Sequence, residues 1–324
     1  MHQIPVLYHP TTLIIVDDDP EFLTSLELAL GNQFKCRCFT SAQQAQDFLL
    51  ANHHQQSLSK YLQLENQDIW DFSVRVQLSQ LHQEIFNPHR FEETCILIVD
   101  YDMPSMNGLE LARNIKSQLP IKIIMLTGEA DQETAITAFN QKEIHQFLSK
   151  SATDYPAKLV KYIQQLQREY YLEVSKPILD CLSTETLHPL RSKALIGLFQ
   201  TICSKYQIIE YYLAEESGSF LMLDTEGKET WLIIRTAADM ETFYELASGE
   251  PDIPQQTLHA LHDKTKLVFF PKHDEFVPPQ EDWVIHDAIR LDESDIYYCL
   301  LPGKDKYHLQ PTSIVSYKMF LDTE

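Results

Sequence analysis

Leu97-Ile98-Val99-Asp100-Tyr101-Asp102-Met103-Pro104 is an apolar, β-branched run that stops on a carboxylate, and Ile14-Ile15-Val16-Asp17-Asp18-Asp19-Pro20 follows the same grammar. Two further runs repeat it, Ile121 to Leu126 ending on Thr127, and Gln146 to Ser149 ending on Lys150. Short apolar runs of this kind are what buried parallel strands show. In an open α/β sheet the carboxyl ends of the strands line one crevice, so residues just past each run converge there although they are far apart in sequence. Asp17, Asp18 and Asp100 packed together without a cation would repel one another and take up protons. A hard divalent cation such as Mg2+, held by one or two carboxylates plus waters and phosphate oxygens, resolves that conflict. Lys150 adds a compact ammonium for a phosphoryl oxygen, and Thr127 adds a hydroxyl donor. Together the islands describe a phosphoryl-accepting carboxylate.

The same islands, taken with Met106-Asn107-Gly108-Leu109-Glu110, Met125-Leu126-Thr127-Gly128 and Phe147-Leu148-Ser149-Lys150, resemble the receiver domain of bacterial two-component response regulators. A lone Asp-Asp after a strand is a weak signal, usually a solvated strand end; five islands in the family's order are a strong one. The resemblance implies a doubly wound, flavodoxin-like α/β domain with a parallel five-stranded sheet. It implies Asp100 as the acceptor of a phosphoryl group from the phosphohistidine of a sensor histidine kinase or phosphotransfer protein. Asp17, Asp18 and Asp100, with the backbone carbonyl of Asp102, would hold Mg2+. Lys150 and Thr127 would serve the transfer, in which positioning and charge neutralisation do most of the work. Thr127 would then follow the phosphoryl group inward while Phe147 fills the vacated space, biasing a two-state equilibrium of the surface.

Three departures from the family's pattern stand out. Lys150 is usually followed by a cis Pro, but Ser151 follows here, and a cis bond without Pro costs about 2.5–4 kcal/mol; a trans bond or a displaced Lys150 is the expectation. Asp102 and Glu129 lie two residues beyond Asp100 and Thr127, positions that in the family flank the mouth of the site, where their charges could repel or order a hydrolytic water. Asp18 and Asp100 lie 82 residues apart, roughly forty more than a receiver needs, which marks an insertion at 53–94. Within it Trp70, Phe72, Val74, Val76 and Leu78 alternate with polar residues, as in a strand with one apolar face. Leu78, Leu81, Ile85 and Phe86 then follow helical spacing to a stop at Asn87-Pro88. That apolar surface must be buried as a lid on the receiver, as a dimer contact or as a bridge to the rest of the chain.

A length of 324 residues suggests two domains: a receiver at 1–152, its fifth helix and a linker at 153–175, and an output domain at 176–324. Leu159, Val160, Ile163, Leu166 and Tyr170 form the fifth helix's apolar stripe. Beyond it, Ile178–Leu187 and Leu195–Tyr206 read as helices, and Ile208–Ala214, Ser219–Asp224 and Thr230–Thr236 as strands, with a turn at Asp224-Thr225-Glu226-Gly227. Asp239 is expected to cap a helix to Ala247 and Pro254 to open another. Strands return at Leu267–Phe270, Ile289–Leu291 and Ile296–Leu301, giving a separate α+β domain with an antiparallel sheet.

Charge narrows the output. Residues 176–324 hold 13 Lys plus Arg against 25 Asp plus Glu, a balance of −12 within the chain's −21. Duplex DNA binding leans on several cation–phosphate contacts, so it is disfavoured, and no helix-turn-helix pattern is present. Cyclase, phosphodiesterase and phosphate-loop signatures are also missing. His259 and His262, with His273-Asp274 and His286-Asp287, are better read as solvated or core histidines than as a metal site. Tyr211, Tyr212, Phe220 and Trp231 read as a packed sheet face before a ligand pocket. The six cysteines lack zinc-type pairing and read as buried thiols. Without an apolar run long enough to span a bilayer or a signal peptide, a cytoplasmic protein is expected, with no membrane partner. The acidic output, the long insertion and the run Ser217-Gly218-Ser219-Phe220-Leu221-Met222-Leu223-Asp224 resemble the response regulators of α-hydroxyketone quorum-sensing circuits. That resemblance implies a phosphorelay end-point with an unconventional output domain and homodimerisation on phosphorylation. The output is expected to bind a protein, its own twin or a small molecule; the alternative is a nucleic-acid-binding or enzymatic output under the same switch.

Overall fold

The computed structural model describes residues 3–52, 58–68, 71–128, 132–251, 253–269, 284–292, 294–303 and 314–323. In chain order its elements begin β1 (Leu7–Tyr8), β2 (Leu13–Val16), α1 (Pro20–Leu30), β3 (Cys36–Phe39), α2 (Ala42–Asn52), β4 (Leu62–Asp68), β5 (Asp71–Val76), α3 (Leu78–Leu81) and β6 (Ile96–Asp100). They continue α4 (Gly108–Lys116), β7 (Lys122–Thr127), α5 (Gln132–Asn140), β8 (Gln146–Ser149), α6 (Tyr155–Leu179), α7 (Thr184–Arg191), α8 (Lys193–Lys205), β9 (Ile208–Leu213), β10 (Phe220–Asp224) and β11 (Glu229–Thr236). The last are α9 (Ala237–Ser248), α10 (Gln255–His262), β12 (Lys266–Phe269), β13 (Val284–Asp287), β14 (Ile289–Arg290), β15 (Ile296–Pro302) and α11 (Tyr317–Leu321).

Two compact units divide the chain, and neither is continuous. One comprises His9–Ser57, Pro88–Val174 and Tyr317–Glu324; the other comprises Met1–Tyr8, Leu58–Asn87 and Ser175–Ser316. The sequence reading placed residues 1–8 and the whole 53–94 insertion with the receiver. Residues 58–87 and the first strand instead group with the C-terminal half.

The first unit is the parallel five-stranded α/β fold. Its strand order is β3-β2-β6-β7-β8, and every residue of β2, β6 and β7 is buried, as strands covered on both faces by helices must be. Val16, Leu97, Val99 and Met125 pack with Leu111, Ala112 and Ile115 of α4 in its core, each large side chain contributing about 1.5–3 kcal/mol. Asp19 caps α1 by accepting from Glu21 and Phe22 N–H, with Pro20 opening the helix. Asn107 caps α4 through Glu110 N–H. The stripe of α6 is buried at Leu159, Ile163, Leu166 and Tyr170.

The second unit holds a six-stranded antiparallel sheet, order β1-β9-β10-β11-β15-β14, and a two-stranded ribbon, β12-β13. Its registers divide the aromatic group. Tyr212, Leu221 and Trp231 lie opposite one another on one face, while Tyr211 and Phe220 meet the Phe199 ring of α8 edge-on at 4.8 and 5.0 Å on the other. The insertion supplies the antiparallel hairpin β4-β5 and the turns at 78–86, which pack on β9. His82 meets the Trp231 ring edge-on at 6.2 Å, and the buried Glu84 accepts from Lys60, Tyr61 and Asn87. Trp70 lies outside the described residues, as do Phe270, His273 and Asp274.

Two local readings need correction. The expected helix at 178–187 is broken: α6 runs through Pro177 to Leu179, and α7 starts at Thr184 after a turn. The helix at 237–248 is capped by Thr236, whose side chain accepts from Asp239 N–H while Asp239 accepts from Thr236 N–H. Asp239 is thus the inner partner of a capping box, a Thr-x-x-Asp variant of the usual pattern.

Candidate functional site

The parallel sheet brings the sequence islands together. Asp17 leaves the end of β2 and Asp100 ends β6, at matching levels because Val16 pairs in register with Val99. Lys150 follows β8, its N–H donating to the Thr127 carbonyl at 3.0 Å. Carboxylate oxygens of Asp17, Asp18 and Asp100 lie within 4.8 Å of one another. Asp17 and Asp100 are buried and Asp18 is exposed. Lys150 Nζ reaches Asp17 Oδ2 at 2.6 Å and Asp100 Oδ1 at 2.8 Å. The Lys150–Ser151 bond is trans, since the described chain has no cis peptide. Serine in place of proline therefore does not keep the ammonium from its carboxylates.

Charge in this pocket is unevenly settled. Burial pushes the Asp100 carboxyl above its usual value and the neighbouring Asp17 charge adds to the rise, against the pull of Lys150. Burial pulls the Lys150 ammonium down, but its bonds to Asp100 and Asp17 outweigh that and its pKa is raised. Three carboxylates against one ammonium leave two negative charges, which is the charge a divalent cation supplies. Thr127 supports the same reading for the phosphoryl group. Its side chain is fully buried, and its Oγ1 has no hydrogen-bond partner among the described residues. A buried hydroxyl left unpaired costs about 1–3 kcal/mol, so an oxygen-rich group arriving beside it has a donor waiting.

Several contributors were not singled out by sequence reasoning. The Lys150 ammonium lies over the Phe22 ring, 4.4 Å from its centroid, and Phe22 stacks on Tyr155 at 6.5 Å. Asp19 N–H donates to Asp17 Oδ1 at 3.1 Å, fixing that carboxylate's rotamer. Gly108 opens α4 with its N–H on the Tyr101 carbonyl at 2.9 Å; a Cβ there would lie 2.0 Å from the Asp100 carbonyl oxygen. Only glycine permits that approach. The sequence signal existed in Asn107-Gly108, a cap followed by the smallest residue. Asp102 sits in the loop after β6 with its side chain exposed, and it is not among the clustered carboxylates. Phe147 is half-buried in β8, edge-on to Phe139 of α5 at 6.0 Å. Glu129 lies outside the described residues.

Comparison with known proteins agrees with this geometry. Residues 49–164 match the response regulator receiver domain, a range that holds Asp100, Thr127 and Lys150 but begins after the acidic pair. The chain is 43% identical over 49 residues to the chemotaxis protein CheY1 of Helicobacter pylori, a match covering 14% of this chain and 40% of that protein's length. The solved structure of the Legionella pneumophila response regulator LqsR is similar over 99% of this chain and 96% of its own, with 31% identity and a TM-score of 0.80. With that likeness running nearly end to end, and a receiver fold carrying the acidic cluster, the chain belongs to the response regulators.

Proposed function

We propose that this protein ends a two-component phosphorelay, with Asp100 accepting a phosphoryl group from the phosphohistidine of a sensor histidine kinase or phosphotransfer protein. The observation that carries the reading is the placement of Lys150 Nζ 2.8 Å from Asp100 and 2.6 Å from Asp17, just past the strand next to the one that ends in Thr127, whose buried hydroxyl has no partner among the described residues. A carboxylate oxygen of Asp100 attacks phosphorus, the P–N bond to the donor histidine breaks, and the imidazole nitrogen leaves with the electron pair. Asp17, Asp18, Asp100 and the Asp102 carbonyl would hold Mg2+, which supplies neutralisation of the phosphoryl oxygens' charge. Lys150 steers a phosphoryl oxygen and balances the acyl phosphate once it forms. Thr127 then donates to another of its oxygens, and Phe147 repacks as Thr127 moves. Phe147 is half-buried, and the switch is a shift between two arrangements of it.

Downstream, the C-terminal unit acts as a protein- or ligand-binding output, with phosphorylation-dependent homodimerisation, in the cytoplasm. The likeness to LqsR along almost the whole chain supports the same kind of architecture; the quorum-sensing assignment rests on the acidic output, the long insertion and the run at residues 217–224. Acetyl phosphate with a divalent cation is expected to add the mass of one phosphoryl group to the wild-type chain and nothing to Asp100→Asn. Labelling that persists in the variant, or never occurs in the wild type, refutes the assignment.

A further inference from the structure

The receiver sheet has a second pole. Thr12, Lys35 and Thr94 stand just before β2, β3 and β6, and because these strands run parallel, their amino ends gather at the end of the sheet opposite Asp17 and Asp100. A cavity of about 340 Å3 lies there, lined by those three residues and by Arg37, Asn52, Glu92, Phe48 and Phe320. Its size falls in the range of small-ligand sites, about 300–1,000 Å3.

Its chemistry is unusual for this chain. With 47 acidic side chains against 26 basic ones, surface cations have carboxylates in abundance. Yet among the described residues neither Lys35 nor Arg37 pairs with one. The Arg37 guanidinium lies over the Phe48 ring, 4.4 Å from its centroid, and its fork of N–H donors has no acceptor among the described residues. The Lys35 ammonium donates to the Thr323 backbone carbonyl and lies 5.9 Å from the Phe320 ring. The one carboxylate in the wall, Glu92, is engaged by His89 at 2.9 Å. Two aromatic walls, two cations without counter-charges and a polar amide from Asn52 make a site for a flat ring bearing an oxyanion. The roof is local to the fold: Phe320 and Thr323 come from α11 and its end, which Tyr317 anchors through its hydroxyl to Lys35 N–H and the Gln33 carbonyl, each at 3.2 Å.

We propose that this cavity binds a small aromatic anion, a carboxylate or a phosphate monoester, with Arg37 and Lys35 holding the oxyanion and Phe48 and Phe320 flanking the ring. This reading is independent of phosphoryl acceptance at Asp100. The test uses the full chain carrying Asp100→Asn, so that no covalent chemistry at the other pole is read, and follows backbone amide resonances during titration. Benzoate and phenyl phosphate are the probes, with benzyl alcohol and inorganic phosphate as controls. The expected result is a set of shifts at Lys35, Arg37, Asn52 and Thr94 with one or both aromatic anions, and which of the two binds more tightly names the head group. Arg37→Gln and Lys35→Gln are each expected to weaken binding about tenfold. Arg37 is exposed, so its variant keeps the fold even if the loss of the Lys35–Thr323 contact loosens α11. No shifts with either aromatic anion, equal binding by inorganic phosphate or benzyl alcohol, or binding unchanged in both variants would each overturn the proposal.

Discussion

The two ends of one parallel sheet carry opposite electrostatic problems. At the carboxyl ends of β2 and β6, Asp17 and Asp100 are buried beside Asp18, with a single ammonium shared between the buried pair. At the amino ends, Lys35 and Arg37 line a cavity with aromatic rings for company, and neither pairs with a carboxylate among the described residues. Backbone direction explains why both ends can be sites, since loops rather than ladder residues occupy each. What differs is how charge is left over: negative at the acceptor end, where a cation and then a phosphoryl group complete the balance, and positive at the other.

The acceptor end is the one where removal of a single charge should matter most. Lys150→Met leaves Asp17 and Asp100 facing each other with no ammonium between them. Phosphoryl uptake from acetyl phosphate is expected to fall by about 10²- to 10³-fold, the scale of losing one preorganised charge from a polar site. An equal rate in wild type and variant, measured by intact mass over time, would remove Lys150 from the chemistry and leave it a bystander.

Gly108 tests whether the acceptor's geometry depends on backbone as well as charge. Gly108→Ala sets a methyl group 2.0 Å from the Asp100 carbonyl oxygen, and neither the start of α4 nor the end of β6 can yield without moving Asp100. A stability loss of about 1–3 kcal/mol in urea unfolding is expected, together with slowed uptake. At the opposite pole Arg37 is exposed, so Arg37→Gln in the same assay should be near neutral, within about 0.5 kcal/mol.

The raised pKa of Asp100 gives the comparison a pH axis. A carboxyl whose folded value exceeds its unfolded one contributes stability that is present below the ordinary value of 3.8 and lost as pH rises through the raised value. Asp100→Asn removes that loss. The variant should therefore be more stable than wild type at neutral pH without divalent cation, and the difference should shrink as pH drops toward 3.8. A variant less stable than wild type at neutral pH would contradict the burial argument.

Much of the receiver was legible because its signals are local and repeated. Each of Asp17, Asp100, Thr127 and Lys150 ends a short apolar run, and a parallel sheet turns that grammar into one site. The insertion was legible only in part. The alternation through Val74 and Val76 pointed to a strand, which β5 bears out, but its partner β4 and its membership of the C-terminal unit depend on pairings that no short window encodes. The same holds for β1, two residues long, whose Leu7 and Tyr8 pair with Tyr212 and Tyr211 some two hundred positions away. The cavity at the amino ends left no motif, because Arg37, Phe48 and Phe320 are ordinary residues until the fold assembles them.

Thr127 separates function from stability most finely. Its hydroxyl is buried with no partner among the described residues, so in the absence of a phosphoryl group it is a cost to the fold, and the isosteric Thr127→Val removes the polar atom while keeping the shape. If the hydroxyl exists for the phosphoryl oxygen, the variant should be as stable as wild type or more stable by up to about 1 kcal/mol. It should still accept a phosphoryl group at Asp100 but fail to transmit the event. The readout is hydrogen exchange around Phe147 and α5 before and after beryllofluoride: protected differently in wild type, unchanged in the variant. A destabilised variant would mean that the hydroxyl has a structural partner, and a variant that still shows the exchange change would take Thr127 out of the switch.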